Sequence, residues 1–160
     1  MIQEDTLQLL QSIIKKLEAN QATVATAESC TGGIVATHLT HLPGSSKTYL
    51  GGVSAYANQV KCDVLGVNQE LIKNHGAVSA PVAEAMAVGA RTKIGSTFAI
   101  ALTGIAGPDG GTPTKPVGTV YCGFASPTGV TSFLWQILGD RETIRKEAAK
   151  QALLLLLSKI

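Results

Sequence analysis

The chain has 160 residues, of which 45% are apolar and 15% charged. That is enough apolar surface for one core and too little charge for a disordered segment. A formal net charge of +2, without a basic run and with aromatics at 4%, argues against a nucleic-acid partner and leaves the core to Ala, Val, Ile and Leu.

Leu7, Leu10, Ile14 and Leu17 recur at helical spacing, so Met1 to Asn20 reads as an amphipathic opening helix. Its charges, Glu4, Asp5, Lys15 and Lys16, do not follow the basic-then-apolar order of a secretory signal. The alternating run Ala22 to Thr26 predicts a first strand. The segment Thr26-Ala-Glu-Ser-Cys-Thr-Gly-Gly33 follows as a turn, and Ile34, Val35, Ala36 and Leu39 predict a helix to about His41. Leu42-Pro-Gly-Ser-Ser46 stops it. Thr48 to Ala57 is β-prone, with a bulge or bend expected at Gly51 and Gly52.

Asn68 to His75 predicts a short helix closed by Gly76. Ser79 and Pro81 open the next, which runs to about Lys93. Thr97 to Leu102 is a short apolar strand, followed by a glycine-rich loop from Thr103 to Pro116. Val117 to Ala125 and Val130 to Leu138 predict a hairpin across Ser126-Pro-Thr-Gly129. Asp140 can cap a last helix that buries Ile144, Ala148, Ala152 and Leu155. Helices and strands alternate early and the hairpin comes late. The pattern predicts an α/β fold with a mixed sheet and helices on both of its faces. With no repeat, linker or low-complexity tract, residues 1–160 read as a single domain.

Cys30, Cys62 and Cys122 form no CxxC pair and no metal-ligand spacing, so no metal is expected. An odd cysteine count without a signal peptide suggests a reducing cytoplasm. The Leu153 to Leu157 run is far too short for a bilayer, so no membrane partner is expected.

A strand-to-helix turn gathers small polar side chains and free N–H groups at one point. Ser29 is therefore either a helix cap or a nucleophile, with the N–H groups of Cys30, Thr31, Gly32 and Gly33 as oxyanion donors. Cys30 competes as an acidified thiol, or is a small buried hydrophobe. His38, His41 and His75 are poorly placed for a triad. A lysine made neutral by burial can serve as base instead. Lys61 is the candidate, beside Tyr56 and Asn58, whose equal parity on a strand would point both to one face. The loop from Thr103, with Gly104 and Gly107, leaves a strand where open α/β sheets bind ligands. It lacks the Lys-Ser/Thr end of a Walker loop. Arg141 and Arg145 are like charges near the start of the last helix. Either acidic neighbours or an anion, such as a phosphate, offsets them.

Together these motifs resemble the CinA C-terminal-domain family, whose active members are nicotinamide-mononucleotide amidases. The likeness runs from Thr26–Gly33 through Leu39-Thr40, Pro43-Gly-Ser-Ser46, Tyr56, Asn58 and Lys61 to His75-Gly-Ala-Val-Ser79. It continues over Thr103-Gly-Ile-Ala-Gly-Pro-Asp-Gly-Gly111, Lys115-Pro-Val-Gly-Thr119, and Asp140-Arg141 with Arg145. The resemblance implies a three-layer α/β/α sandwich, usually a homo-oligomer, in the stand-alone form without the family's N-terminal domain. It implies hydrolysis of nicotinamide mononucleotide to nicotinate mononucleotide and ammonia, without a cofactor. The family's nucleophile maps to Ser29, its base to Lys61 and its nearby tyrosine to Tyr56. Two other readings stay open: a non-catalytic nucleotide-binding module, and an amidase for another carboxamide.

Overall fold

A computed structural model of the chain describes residues 4–160. Met1 to Gln3, part of the expected opening helix, lie outside the described residues. The described residues form α1 (Glu4–Ala19), β1 (Val24–Glu28), α2 (Ile34–Leu39), β2 (Tyr49–Ser54), α3 (Asn58–Asp63) and α4 (Gln69–His75). They continue with α5 (Ala80–Ile94), β3 (Phe98–Gly104), β4 (Thr119–Ser126), β5 (Gly129–Gln136) and α6 (Arg141–Lys159). One sheet has the order β2-β1-β3-β4-β5. β1 lies parallel to β2 and β3, while β4 runs antiparallel to β3 and β5. The α/β/α sandwich with a mixed sheet is therefore present.

Strand periodicity divides the sheet into two unequal faces. One carries Val24, Ile100, Leu102, Val120, Cys122 and Phe124 and packs on α1, α2 and α6. The other carries Ala25, Ala27, Ala99, Ala101 and Ala125 and packs on α5 through Val82, Met86, Ala87 and Ala90. Small side chains there let α5 settle close to the strands. Gly89 of α5 comes so near the segment after α3 that a methyl group would overlap the Leu65 carbonyl.

Several boundaries differ from expectation, each for a tertiary reason. β1 runs on to Glu28, because both parallel neighbours pair with that residue, through Ser54 and Leu102. β2 stops at Ser54, and the unforeseen α3 begins at Asn58, so Tyr56 and Asn58 are not strand neighbours on one face. The expected irregularity in β2 falls beside Leu50, where the register with β1 shifts. β3 continues through Gly104, drawn on by its ladder with β4. Leu138 lies beyond β5 and is exposed. In α6, Ile144, Ala148 and Ala152 are buried as expected, but Leu153 and Leu156 fill the core while Leu155 is half-buried.

The β1–α2 junction rests on Glu28, which is only 2% exposed. Its Oε2 accepts from Thr31 Oγ1 at 2.6 Å and from the N–H groups of Gly33 and Val35, both at 3.1 Å. Its Oε1 accepts from the Ala36 N–H at 2.8 Å. A helix start leaves its first N–H groups without intrahelical acceptors, and this carboxylate supplies them. Gly32 and Gly33 sit at φ 61° and 102°, a left-handed pair that turns the chain back over the carboxylate.

Two outcomes follow. Gly→Ala normally stabilises a helix interior, but Gly89→Ala will lower stability by about 1–3 kcal/mol, through overpacking against Leu65. Glu28→Gln turns an amide NH2 toward backbone N–H donors and will cost about 2–3 kcal/mol. Denaturant unfolding of each variant beside the parent measures both.

Candidate active site

β1 connects to β2 on one side, and the chain then crosses to β3 on the other. That reversal opens a crevice at the carboxyl ends of β1 and β3, where open α/β sheets bind ligands. A cleft of about 280 Å³ occupies it. Ser29, directly after β1, is held by its N–H bond to the Leu102 carbonyl at 2.9 Å. With Glu28 and Gly33 at the start of α2, the Ser29 hydroxyl makes no cap bond.

Lys61 arrives from α3 and is 1% exposed, the largest of the fully buried side chains. Its Nζ lies 2.9 Å from Ser29 Oγ. It donates to the carbonyls of Ala55 at 2.8 Å and Tyr56 at 3.1 Å. Among the described residues no carboxylate comes within ion-pair distance of it. Burial pushes its pKa below the usual lysine range, and the nearby Cys30 and Cys62 offset only part of that fall. As an ammonium, Lys61 donates to all three oxygens; as a neutral amine it would have two N–H donors for the carbonyls and one lone pair for the Ser29 hydroxyl.

Cys30 also lines the cleft, but burial raises its thiol to about 11, so it is not an acidified nucleophile. None of the three histidines lines it. His38 lies on α2, with Nδ1 buried and unpartnered. The described residues contain no cluster of metal-binding side chains.

The other predicted positions divide. Tyr56, Asn58, Thr103, Gly104, Gly107 and Arg141 line the cleft. Thr31, Gly32, Gly33 and Arg145 do not. Thr31 and the Gly33 N–H are committed to Glu28, and the Gly32 N–H donates to the Ser29 carbonyl at 3.1 Å. Arg145 donates to the carbonyls of Cys30 and Thr31, each at 3.0 Å, and braces the turn from behind. Thr103 spends its hydroxyl on the Ala77 carbonyl at 2.8 Å. Tyr56 is 62% exposed, and its hydroxyl meets Arg141 rather than Lys61.

Two features of the site were not singled out from the sequence. Glu28 stood in the turn as one carboxylate among several polar groups, and its i to i+8 reach to Ala36 has no one-dimensional signal. Ala106 is buried against the cleft, and its N–H has no acceptor among the described residues. Its place in the glycine loop was the available clue.

The model of the CinA C-terminal domain matches residues 6–160. A CinA-like protein of Anaeromyxobacter sp. (strain K) is 50% identical over 149 residues, covering 93% of this chain and 36% of the relative. Another, from Gemmatimonas aurantiaca, is 54% identical over 131 residues, covering 82% and 31%. The chain thus spans about a third of the length of these curated relatives. Among solved structures, the competence/damage inducible protein CihA of Agrobacterium tumefaciens superposes with a TM-score of 0.95 at 38% identity, covering 99% of this chain and 97% of that one. A competence-damaged protein (CinA) superfamily member from Escherichia coli gives 0.94 at 32% identity, covering 100% and 94%. By sequence and fold alike, the chain belongs to the CinA C-terminal domain family.

Proposed function

We propose that this chain is a Ser–Lys amidase that hydrolyses the carboxamide of nicotinamide mononucleotide to nicotinate mononucleotide and ammonia. The observation that carries the reading is the buried pair of Lys61 Nζ and Ser29 Oγ, 2.9 Å apart beside a cleft. Neutral Lys61 takes the Ser29 proton as Oγ bonds to the carboxamide carbon. The carbonyl electron pair moves to oxygen. The Cys30 N–H and the Ala106 N–H, both at the cleft and without a protein oxygen acceptor, are the oxyanion donors we assign.

Collapse breaks the C–N bond as the Lys61 ammonium gives its proton to the departing –NH2 nitrogen, which leaves as ammonia. Water then adds to the acyl carbon with Lys61 again as base. Cleavage of the Oγ–C bond restores Ser29 and releases the carboxylate. The pyridinium ring withdraws electrons from the amide, so the carbonyl is already polarised. Arg141, the one arginine that lines the cleft among the described residues, is the group assigned to the phosphate.

Ammonia release from nicotinamide mononucleotide tests the reading. The parent protein will release ammonia and Ser29→Ala will lose at least about 10³-fold in kcat. Binding of the nucleotide without ammonia from the parent would make the chain a binding module. Release only from other carboxamides would reassign the substrate.

Lys61→Arg keeps the charge but cannot become a neutral base, so it will be inactive in the same assay. In the parent, kcat/KM will fall as pH drops through the folded-state Lys61 pKa, which lies below the usual lysine value. Between that pKa and the unfolded one, the unfolded chain binds one more proton. The contribution of this group to stability therefore rises with pH over the same window. A pH–rate profile shows the first effect and unfolding at several pH values the second.

A further inference from the structure

The side chain of Tyr56 makes no hydrogen bond to Ser29 or Lys61 among the described residues. Lys61 touches only the main-chain carbonyl of that residue. The hydroxyl instead accepts from Arg141 Nη2 at 3.0 Å, while Arg141 Nη1 donates to the Gly107 carbonyl at 2.8 Å. Those two acceptors come from opposite walls of the cleft, the segment after β2 and the loop after β3. We propose that Tyr56 is a positioning residue: with the Gly107 carbonyl it fixes the Arg141 guanidinium as the anion-recognising group of the cleft, and so sets the preference for a phosphorylated substrate. The proposal rests on the amidase reading above and assigns its specificity.

Six observations carry it. Both acceptors are neutral, so they orient the guanidinium without cancelling its charge. Asp109, a carboxylate of the cleft lining, lies beyond ion-pair distance of Arg141. A guanidinium has five N–H donors, so two bonds leave three for an incoming anion. Two acceptors on different nitrogens also fix the plane of the fork, which is what bidentate recognition of a phosphate requires.

The rival cation is removed by its own contacts. Arg145 spends Nε and Nη2 on the Cys30 and Thr31 carbonyls and does not line the cleft. Finally, Tyr56 is 62% exposed and contributes little to the core. An exposed arginine otherwise loses considerable rotamer freedom when it binds an anion. The Tyr56 hydroxyl meets part of that cost before the ligand arrives.

The test is a ratio. Nicotinamide mononucleotide and nicotinamide riboside differ only in the phosphate. Tyr56→Phe will lower the kcat/KM ratio of mononucleotide to riboside by about tenfold, the scale of one hydrogen bond to a charged group, and the loss will sit in KM. Arg141→Lys, which cannot hold both acceptors and present a fork, will lower the same ratio. Tyr56→Phe added to Arg141→Lys will lower it little further, since the two act as one unit. Equal slowing of both substrates by Tyr56→Phe, with the fall in kcat, would mark a proton relay and overturn the proposal. On a Ser29→Ala background, equilibrium binding of the two ligands gives the same ratio without turnover. A protein that releases no ammonia but shows the expected binding ratio would overturn the amidase reading alone. An unchanged binding ratio in Tyr56→Phe would overturn this one.

Discussion

The Glu28 carboxylate is the constraint on which the rest of the site depends. A short helix following a strand presents N–H groups that need acceptors, and a serine in the turn is an ordinary way to supply one. Here the carboxylate takes the Gly33, Val35 and Ala36 N–H groups together with the Thr31 hydroxyl. The Ser29 hydroxyl is thereby released from structural duty and is left facing Lys61. Arg145 completes the support from the other side of the turn, on the Cys30 and Thr31 carbonyls. The turn is held by Glu28 on one flank and Arg145 on the other, with the Ser29 hydroxyl left between them for Lys61.

That separation governs how the cations behave. Glu28 is satisfied by N–H dipoles and needs no cation, so none is drawn into the turn to pair with it. Lys61 is satisfied by carbonyls and finds no anion. An amine buried under those terms is disfavoured as an ammonium, which lowers its pKa. Arg141 also meets only neutral oxygens, the Tyr56 hydroxyl and the Gly107 carbonyl, but it is exposed. In the proposed amidase, the same absence of counter-ions would yield a base in one place and an anion receptor in the other.

Much of this arrangement was legible in the chain. Apolar periodicity placed the long helices, and the alternation of elements placed the mixed sheet between them. The Gly32-Gly33 pair marked the turn, because two successive left-handed residues are tolerated there by glycine. What escaped was decided by tertiary pairing. The six residues of α3 have no apolar stripe, since the side chain that α3 buries is a lysine. Strand parity put Tyr56 and Asn58 on one face, but β2 ends two residues before Tyr56, whose hydroxyl meets Arg141. Arg141 and Arg145 looked equivalent at a spacing of four. One turned out to brace the turn and the other to line the cleft, a distinction that depends on which carbonyls the fold brings within reach.

The contacts of α6 carry a consequence for how the protein is made. Arg145 reaches back 115 residues to the Cys30 carbonyl, and Arg141 reaches 85 to the Tyr56 hydroxyl. During synthesis from the amino end, Ser29 and Lys61 leave the ribosome long before either arginine. The nascent sheet can form around a turn that is not yet braced, beside a crevice that has no cationic wall. The cleft is therefore complete only once the last described helix has docked, and a ribosome-bound chain would expose Ser29 and Lys61 before it held either arginine.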